Sequence, residues 1–128
     1  MLGNHGNSLL ALTQSHAPFA QVAKALELIH QSYAENISVE RLAKEAGMSV
    51  SAFHRAFKHV TAHPPLQYLR RIRLNNAKNL MAQHGMRVSH AATEVGYERV
   101  FQFSREFKRH FNRPPTRAAE IGYAKRSS

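Results

Sequence analysis

The fold is decided by residues 42–58, which read LAKEAGMSVSAFHRAFK. Gly47 can adopt the left-handed backbone conformation that ends a helix. Ser38 and Ser49 can each cap the start of the helix that follows, because a serine side chain accepts a hydrogen bond from a backbone amide two or three residues later. This stretch therefore predicts a helix over Val39–Ala46, a tight turn, and a second helix over Val50–Val60.

The second predicted helix has two contrasting faces. Its apolar residues recur at intervals of three and four, which places them on one side of a helix. They are Ala52, Phe53, Ala56, Phe57 and Val60, and the opposite side carries Ser51, His54, Arg55 and Lys58. A short helix, a glycine turn and a second helix with a polar, basic outer face are the elements of a helix-turn-helix.

The pattern occurs twice. The residues Ala43, Ala46, Gly47 and Met48 recur 49 positions later as Ala92, Val95, Gly96 and Tyr97, and the pairs Phe57-Lys58 and Pro64-Pro65 recur at 50 as Phe107-Lys108 and Pro114-Pro115. The sequence thus contains an internal duplication with one inserted residue just after the second glycine. We expect the second copy to repeat the helix caps, the turn, the aromatic spacing and the terminating prolines of the first.

Three further helices are predicted around the two copies. An apolar stripe follows Pro18 and predicts a helix to about Ala34; its members are Phe19, Val22, Ala23, Leu26, Ile29 and Tyr33. A linker helix is expected from Leu66 to about Gln83, with Arg70, Arg71, Arg73 and Lys78 largely off its apolar side. For Arg73, an intramolecular role and a DNA contact remain alternatives. A short final helix is expected within residues 116–121.

The expected organisation therefore has five parts. Residues 1–18 form a flexible lead-in or the remnant of a preceding domain. Residues 19–65 and 85–121 form the two helix-turn-helix subdomains, residues 66–84 form the linker helix, and residues 122–128 form a basic tail. At about 1.5 Å per residue the linker helix is roughly 27 Å long. Successive major grooves on one face of a DNA duplex are ~34 Å apart, so a linker of this length could hold two helices near that spacing.

The net charge of +10 is unevenly distributed along the chain. Residues 46–93 hold seven Lys and Arg and no acid, and residues 94–128 hold eight bases against four Glu, whereas residues 1–45 are nearly neutral. A field of this kind favours a polyanionic partner through steering and counterion release. A surface that is merely soluble and highly charged is the alternative.

The composition excludes several classes of function. Cysteine and aspartate are absent, so thiolate zinc sites, cysteine nucleophiles and Asp-rich cation loops are not predicted. There is no Gly-rich phosphate loop or nucleophile elbow, and we predict no enzyme activity. His59 and His63 lie four apart without a third ligand nearby, so we expect neither a metal nor a cofactor. No signal peptide or membrane-spanning run is predicted.

Taken in order, these motifs resemble the AraC/XylS family of bacterial transcription regulators. The resemblance covers about residues 19–121 and includes both copies and the linker segment with Arg73 and Leu74. It implies an all-α fold of about seven helices, in two helix-turn-helix subdomains joined by a long linker helix. It also implies sequence-specific binding of double-stranded promoter DNA in successive major grooves, activation or repression of transcription, RNA polymerase as a partner, and a cytoplasmic location at the nucleoid. Because most members of the family carry a separate effector or dimerisation domain on the N-terminal side, we expect the chain to be a fragment of a longer protein, with a short single-domain member as the alternative.

The resemblance also assigns the candidate contact residues. Base-reading positions would be Ser51, His54 and Arg55 in the first copy and Val100, Phe101, Gln102 and Arg105 in the second. Residues better placed for the DNA backbone are Ser49, Lys58, Lys108, Arg109 and Arg113. Phe101 could equally pack within the fold. A non-specific nucleic-acid binder or a helical protein-interaction module is the alternative function, although neither needs two matched polar faces.

Overall fold

The computed structural model describes residues 18–121. Within that range the chain forms seven α-helices and no strand, which confirms the predicted all-α class. Helix α1 covers residues 18–32, and α7 covers residues 118–121 after a 3-10 turn at Pro115–Arg117. The other five are α2 (Val39–Ala46), α3 (Val50–Thr61), α4 (Pro65–His84), α5 (Val88–Glu94) and α6 (Val100–Phe111). The expected lead-in, up to residue 17, and the basic tail lie outside the described residues.

The chain divides into two compact units. The first holds residues 18–31 and 37–68, and the second holds residues 32–36 and 69–121. The helix-turn-helix pair α2 and α3 lies in the first unit, and the pair α5 and α6 lies in the second. Helix α4 contributes its first four residues to the first unit and the rest to the second.

The predicted helix ends of the first unit are confirmed. The hydroxyl oxygen of Ser38 accepts a hydrogen bond from the amide of Arg41 at 3.1 Å, and that of Ser49 accepts one from the amide of Ala52 at 3.2 Å. Gly47 ends α2 with a φ of 70°, a left-handed conformation that glycine adopts without steric cost. Both signals are local, so the short-range sequence is sufficient to place them.

A phenylalanine pair anchors α3 in the core of the first unit. The rings of Phe53 and Phe57 are fully buried, with centroids 5.4 Å apart. The neighbouring buried apolar residues are Val22, Ala25, Ile29, Ile37, Leu42, Ala43 and Ala46. The prediction that Phe19 faces this core is wrong, because its side chain is 56% exposed. Phe19 lies about one turn before Val22, at the N-terminal start of α1 as described.

The second unit repeats this arrangement in three dimensions. The turn after α5 is closed by a hydrogen bond from the amide of Tyr97 to the carbonyl of Ala92 at 2.9 Å, and the equivalent bond after α2, between Met48 and Ala43, is also 2.9 Å. The fully buried rings of Phe103 and Phe107 are 5.6 Å apart and anchor α6 as Phe53 and Phe57 anchor α3. The predicted duplication is therefore confirmed in the turn and in the aromatic pair. 

The N-caps, in contrast, are not duplicated, although α3 and α6 both end at a left-handed residue, Ala62 and Asn112. The positions equivalent to Ser38 and Ser49 are Arg87 and Arg99, and neither makes a side-chain capping hydrogen bond. The expectation of a repeated cap is wrong because an arginine side chain has only donors and cannot accept from the amides of a first helical turn. The ends of α5 and α6 therefore depend on tertiary packing more than those of α2 and α3.

Two basic residues of α4 are held inside the fold. Arg73 donates from Nε to the carbonyl of Tyr33 at 2.6 Å and from Nη2 to the carbonyl of Glu35 at 2.7 Å. Of the two alternatives for Arg73, this geometry supports the intramolecular one, in which it binds the carbonyls that follow α1. Lys78 is buried, with Nζ 5.8 Å from the ring centroid of Phe111, contrary to the expected exposure. Its alkyl chain packs in the core while the ammonium faces an aromatic ring.

The geometry of the turn after α5 predicts that position 96 tolerates only glycine. Gly96 has a φ of 101°, and a Cβ there would lie 2.7 Å from the carbonyl oxygen of Ala34. Gly85 is a matched control, since its φ of 64° is also positive but, apart from its chain neighbours, no atom of residues 18–121 lies within 4 Å of its Cβ position. We expect Gly85→Ala to lower the free energy of unfolding by about 1–2 kcal/mol through backbone strain. Gly96→Ala should cost a further 1–3 kcal/mol, roughly, through the added clash.

Urea unfolding followed by far-UV circular dichroism measures both losses. Equal losses in the two variants would contradict the clash with Ala34.

Candidate nucleic-acid interface

The outer face of α3 is polar, basic and exposed. With Phe53 and Phe57 buried, the opposite side of the helix presents Ser51, His54 and Arg55 to solvent. Helix α3 contains no acidic residue, so nothing on the same helix neutralises Arg55. All three side chains proposed for base reading in this copy are therefore available on one face.

The two residues of the first copy that are predicted to contact the DNA backbone, Ser49 and Lys58, are also exposed. Lys58 is exposed one turn beyond His54. Ser49 stands at the start of α3, where its hydroxyl oxygen caps the helix and its hydroxyl proton remains able to donate. The sequence-predicted residues of the first copy thus lie together along a single helix.

The outer face of α6 differs from that of α3. Phe101 is 77% exposed, and the Arg105 guanidinium lies over its ring, 5.6 Å from the ring centroid. Val100 is also partly exposed. Of the two alternatives for Phe101, packing within the fold is not supported, because most of its ring faces solvent. An apolar ring and a guanidinium side by side can contact a base methyl and a guanine edge.

Gln102 is connected to a hydrogen-bond network in the second unit. Its Nε2 donates to Oε2 of Glu106 at 3.0 Å. The other carboxylate oxygen of Glu106 accepts from the Tyr97 hydroxyl at 2.7 Å and lies 3.1 Å from Nε of Arg70. The carboxylate is therefore shared by α6, the turn before α6 and the linker helix α4. The second helix of each helix-turn-helix pair, α3 or α6, is called its recognition helix below.

Sequence reasoning missed Glu106. The spacing of four between Gln102 and Glu106 is a signal for contact along a helix. The contacts of Tyr97 and Arg70 with the same carboxylate carry no short-range signal, because they come from other elements of the unit. Arg70 was predicted as part of the polar side of the linker helix, and the structure shows it paired.

The remaining bases of the second copy lie in and after the last turn of α6. Lys108 and Arg109 are exposed on that turn. Arg113 is also exposed, with Nη1 3.9 Å from a carboxylate oxygen of Glu120. Arg117 binds the same carboxylate, and this hydrogen bond lowers the pKa of Glu120 below its usual value. Arg113 therefore competes with Arg117 for one acid, while Lys108 and Arg109 have no ion pair among the described residues.

No group of three or more His, Cys, Asp or Glu side chains in residues 18–121 is arranged to hold a metal ion. None of the helices described is both long enough and apolar enough to cross a membrane.

Comparison with protein families gives an independent result. A family model described as a helix-turn-helix domain matches residues 42–121, which is more than half of the chain. The HTH-type transcriptional regulator AlkR of Acinetobacter baylyi is 34% identical over 95 residues, covering 74% of this chain and 31% of AlkR. The lactose operon transcription activator of Staphylococcus xylosus is 30% identical over 90 residues, covering 70% of this chain and 32% of the activator. The chain thus spans about a third of the length of these relatives.

Solved structures agree with these matches. The DNA-binding domain of the global transcriptional factor AdpA, determined in complex with a target DNA, superposes with a TM-score of 0.71 at 26% identity, covering 84% of this chain and 96% of that domain. A transcriptional regulator from Chromobacterium violaceum with an AraC-type DNA-binding domain gives a TM-score of 0.73 at 25% identity, covering 79% of this chain and 90% of the regulator.

Two helix-turn-helix copies, each with an exposed helix face carrying arginine, define a DNA-binding protein of the double helix-turn-helix class. The family match runs from Leu42 in α2 to the end of α7 and so includes both recognition helices and the linker between the copies. The chain belongs to the AraC/XylS family of bacterial transcription regulators and corresponds to their DNA-binding region.

The Tyr97–Glu106 contact predicts a specific pH dependence of stability. Burial, and secondarily the hydrogen bond to Glu106, raise the pKa of Tyr97 well above its usual value of about 10. The neutral phenol is therefore favoured in the folded state, and this stabilisation is present below pH ~10 and lost as the pH rises further. We expect Tyr97→Phe to be about 0.5–1.5 kcal/mol less stable at pH 8, through the lost hydrogen bond.

Above pH ~10 the wild-type and Tyr97→Phe stabilities should converge, since only the wild type loses stability through this group. Urea midpoints measured between pH 8 and 11 test the convergence. A difference that stays constant over this range would contradict the proposed linkage.

Proposed function

We propose that this chain binds double-stranded promoter DNA in a sequence-specific manner and thereby regulates transcription. The observation that carries the proposal is the repeated placement of an exposed, arginine-bearing helix face opposite a buried phenylalanine pair. Arg55 and Arg105 occupy equivalent positions, 50 residues apart, in α3 and α6. A protein that bound nucleic acid by charge alone would not need the same residue at the same place in two recognition helices.

The base-reading roles follow from the chemistry of each side chain. Arg55 and Arg105 each offer two parallel donors that match the O6 and N7 acceptors of guanine. Gln102 can both donate to and accept from adenine, and Phe101 can pack on the methyl group of thymine. Because the Arg105 guanidinium lies over the Phe101 ring, we propose that this pair reads a thymine and an adjacent guanine together. Ser51 and His54 complete the face of α3.

We propose contacts with the DNA backbone for a second group of residues, which would position the protein without specifying sequence. They are Ser49, Lys58, Lys108, Arg109 and Arg113. Arg113 is the weakest of these candidates because Glu120 lies close to its guanidinium. Its release from Glu120 would be part of any contact with phosphate.

The regulatory context is also part of the proposal. Relatives that match this chain over about a third of their own length are named as transcription activators or regulators. We propose that the protein acts in the bacterial cytoplasm at promoters, with RNA polymerase as a partner, and that an effector or dimerisation domain accompanies this region. We further propose that α3 and α6 enter successive major grooves of one DNA site.

The test is selection of bound sites from a random pool of double-stranded DNA, followed by footprinting of the selected site. The proposal expects a defined motif with two half-sites separated by about one helical turn, roughly 10 base pairs. If the protein binds the random pool and no sequence motif is enriched, the result would support the alternative of non-specific nucleic-acid binding. A single enriched half-site would contradict binding in two grooves.

The arginine assignment yields a prediction about sequence specificity. We expect Arg55→Ala and Arg105→Ala each to cost about 1–3 kcal/mol of binding free energy on the selected site and little on random DNA. The two substitutions should relax specificity at different bases, since the arginines lie in different recognition helices. Fluorescence anisotropy titrations on both DNAs measure this. Equal losses on selected and random DNA would exclude base reading by that arginine.

A separate prediction concerns a phosphate contact. Lys108→Ala should weaken binding to all DNA by a similar factor, because a phosphate contact carries no sequence information. It should also reduce the slope of log K against log salt by about 1, as one fewer counterion is released. Titrations at a series of salt concentrations give the slope. An unchanged slope would remove Lys108 from the backbone set.

A further inference from the structure

The Glu106 carboxylate is contacted from three directions. Oε2 accepts a hydrogen bond from Nε2 of Gln102 at 3.0 Å, and Oε1 accepts one from the Tyr97 hydroxyl at 2.7 Å. Oε1 also forms an ion pair with Arg70, whose Nε lies 3.1 Å away. The Glu106 side chain is only 13% exposed, although it belongs to the recognition helix. It is therefore enclosed by its partners and is not itself presented to DNA.

Contact with this carboxylate determines which way the Gln102 amide faces. An ionised carboxylate can only accept hydrogen bonds, so it must face the NH₂ group of Gln102 and not the carbonyl oxygen. One N–H of Gln102 is thereby used within the protein. The second N–H and Oε1 are left for an external partner, and one donor beside one acceptor matches the N7 and N6 groups of adenine.

The other two contacts hold the carboxylate in place. Tyr97 lies in the turn between α5 and α6, and its side chain is buried in the core of the second unit. Arg70 belongs to α4. Because Oε1 is bound by residues outside α6, Glu106 cannot simply rotate away together with Gln102.

The first copy has no equivalent of the Gln102–Glu106 hydrogen bond. The positions equivalent to Gln102 and Glu106 are Ala52 and Ala56 in α3, and α3 has no acid at all. Base reading by α3 should therefore be independent of any such network, and the first half-site provides an internal reference within the same DNA molecule.

We propose that Glu106 is a positioning residue for sequence recognition. It orients the Gln102 amide, so that α6 selects adenine at one base of its half-site. This inference rests on the proposed function, because it assumes that Gln102 faces a base edge. It assigns Glu106 an effect on specificity without any contact with DNA.

Site selection with the full chain tests the proposal. Wild type, Gln102→Ala and Glu106→Ala are each selected against the random duplex pool, and circular dichroism confirms folding. A good bidentate pair discriminates by about 5- to 150-fold, so wild type should show an adenine preference of that order at one base, and Gln102→Ala should lose it. Glu106→Ala should reduce the same preference by about two- to tenfold, because a free Gln102 must be ordered on binding.

Glu106→Gln is the sharper variant, since it retains the shape of the side chain. Its carbonyl oxygen would take the donors of Tyr97 and Arg70, which leaves its NH₂ group facing Gln102. The Gln102 amide must then turn over and present its N–H groups outward. We expect the base preference to move from adenine toward guanine, whose major-groove edge offers two acceptors. A purely structural role of Glu106 would not produce this change.

Glu98→Ala is the charge-matched control. It removes one exposed acid from the same unit, so it reports the general gain in DNA affinity from lower negative charge. It should leave the base preference unchanged, as should every variant at the half-site read by Arg55.

The outcomes separate the inference from the proposed function. If wild type enriches no motif, the proposed function fails. If wild type enriches a motif and Gln102→Ala loses the adenine, while Glu106→Ala and Glu106→Gln both keep it, the proposed function stands and the positioning role is overturned. Retention of the adenine by Gln102→Ala also overturns the positioning role.

Discussion

Each recognition helix is held by two phenylalanines one helical turn apart, and the interface depends on their burial. Phe53 and Phe57 in α3, and Phe103 and Phe107 in α6, have no exposed surface. Burying two large rings at positions i and i+4 fixes the rotation of a helix about its axis. The side chains on the far side are then obliged to face solvent, whatever their polarity. Truncation of one buried Phe typically costs about 3–5 kcal/mol, a large share of a domain's usual 5–15 kcal/mol.

The two copies bury the same phenylalanine pair but differ in the polar contacts that hold their helices and turns. In the first, Ser38 and Ser49 cap α2 and α3, and each such cap is typically worth about 1 kcal/mol. In the second, arginines replace both serines, and Tyr97 ties the turn to α6 through Glu106. The second copy therefore depends on contacts between distant residues where the first uses local ones. This difference also places an acid inside one recognition helix and none in the other.

Much of the fold could be predicted because its signals are local. The glycine turn at Gly47 and the aromatic spacing of each recognition helix involve residues within one or two helical turns of each other. The errors arise where burial depends on neighbours from elsewhere in the chain. Phe19 has the spacing of a core residue but lies at the end of α1, and Lys78 has the charge of a surface residue but packs beside Phe111. Periodicity reports the side of a helix and not how far along that side the core extends.

The sequence by itself determined the duplication and the outward face of each recognition helix, whereas the candidate contacts with DNA came from its resemblance to the family. It could do so because a helix converts spacings of three and four into a shared face, and because the two copies are related by a nearly constant offset. Only the tertiary structure showed that Arg73 binds the carbonyls after α1, and that Tyr97 and Arg70 hold the Glu106 carboxylate. Hydrogen bonds that join residues far apart in the chain exist only once the helices have packed, so no local pattern can encode them.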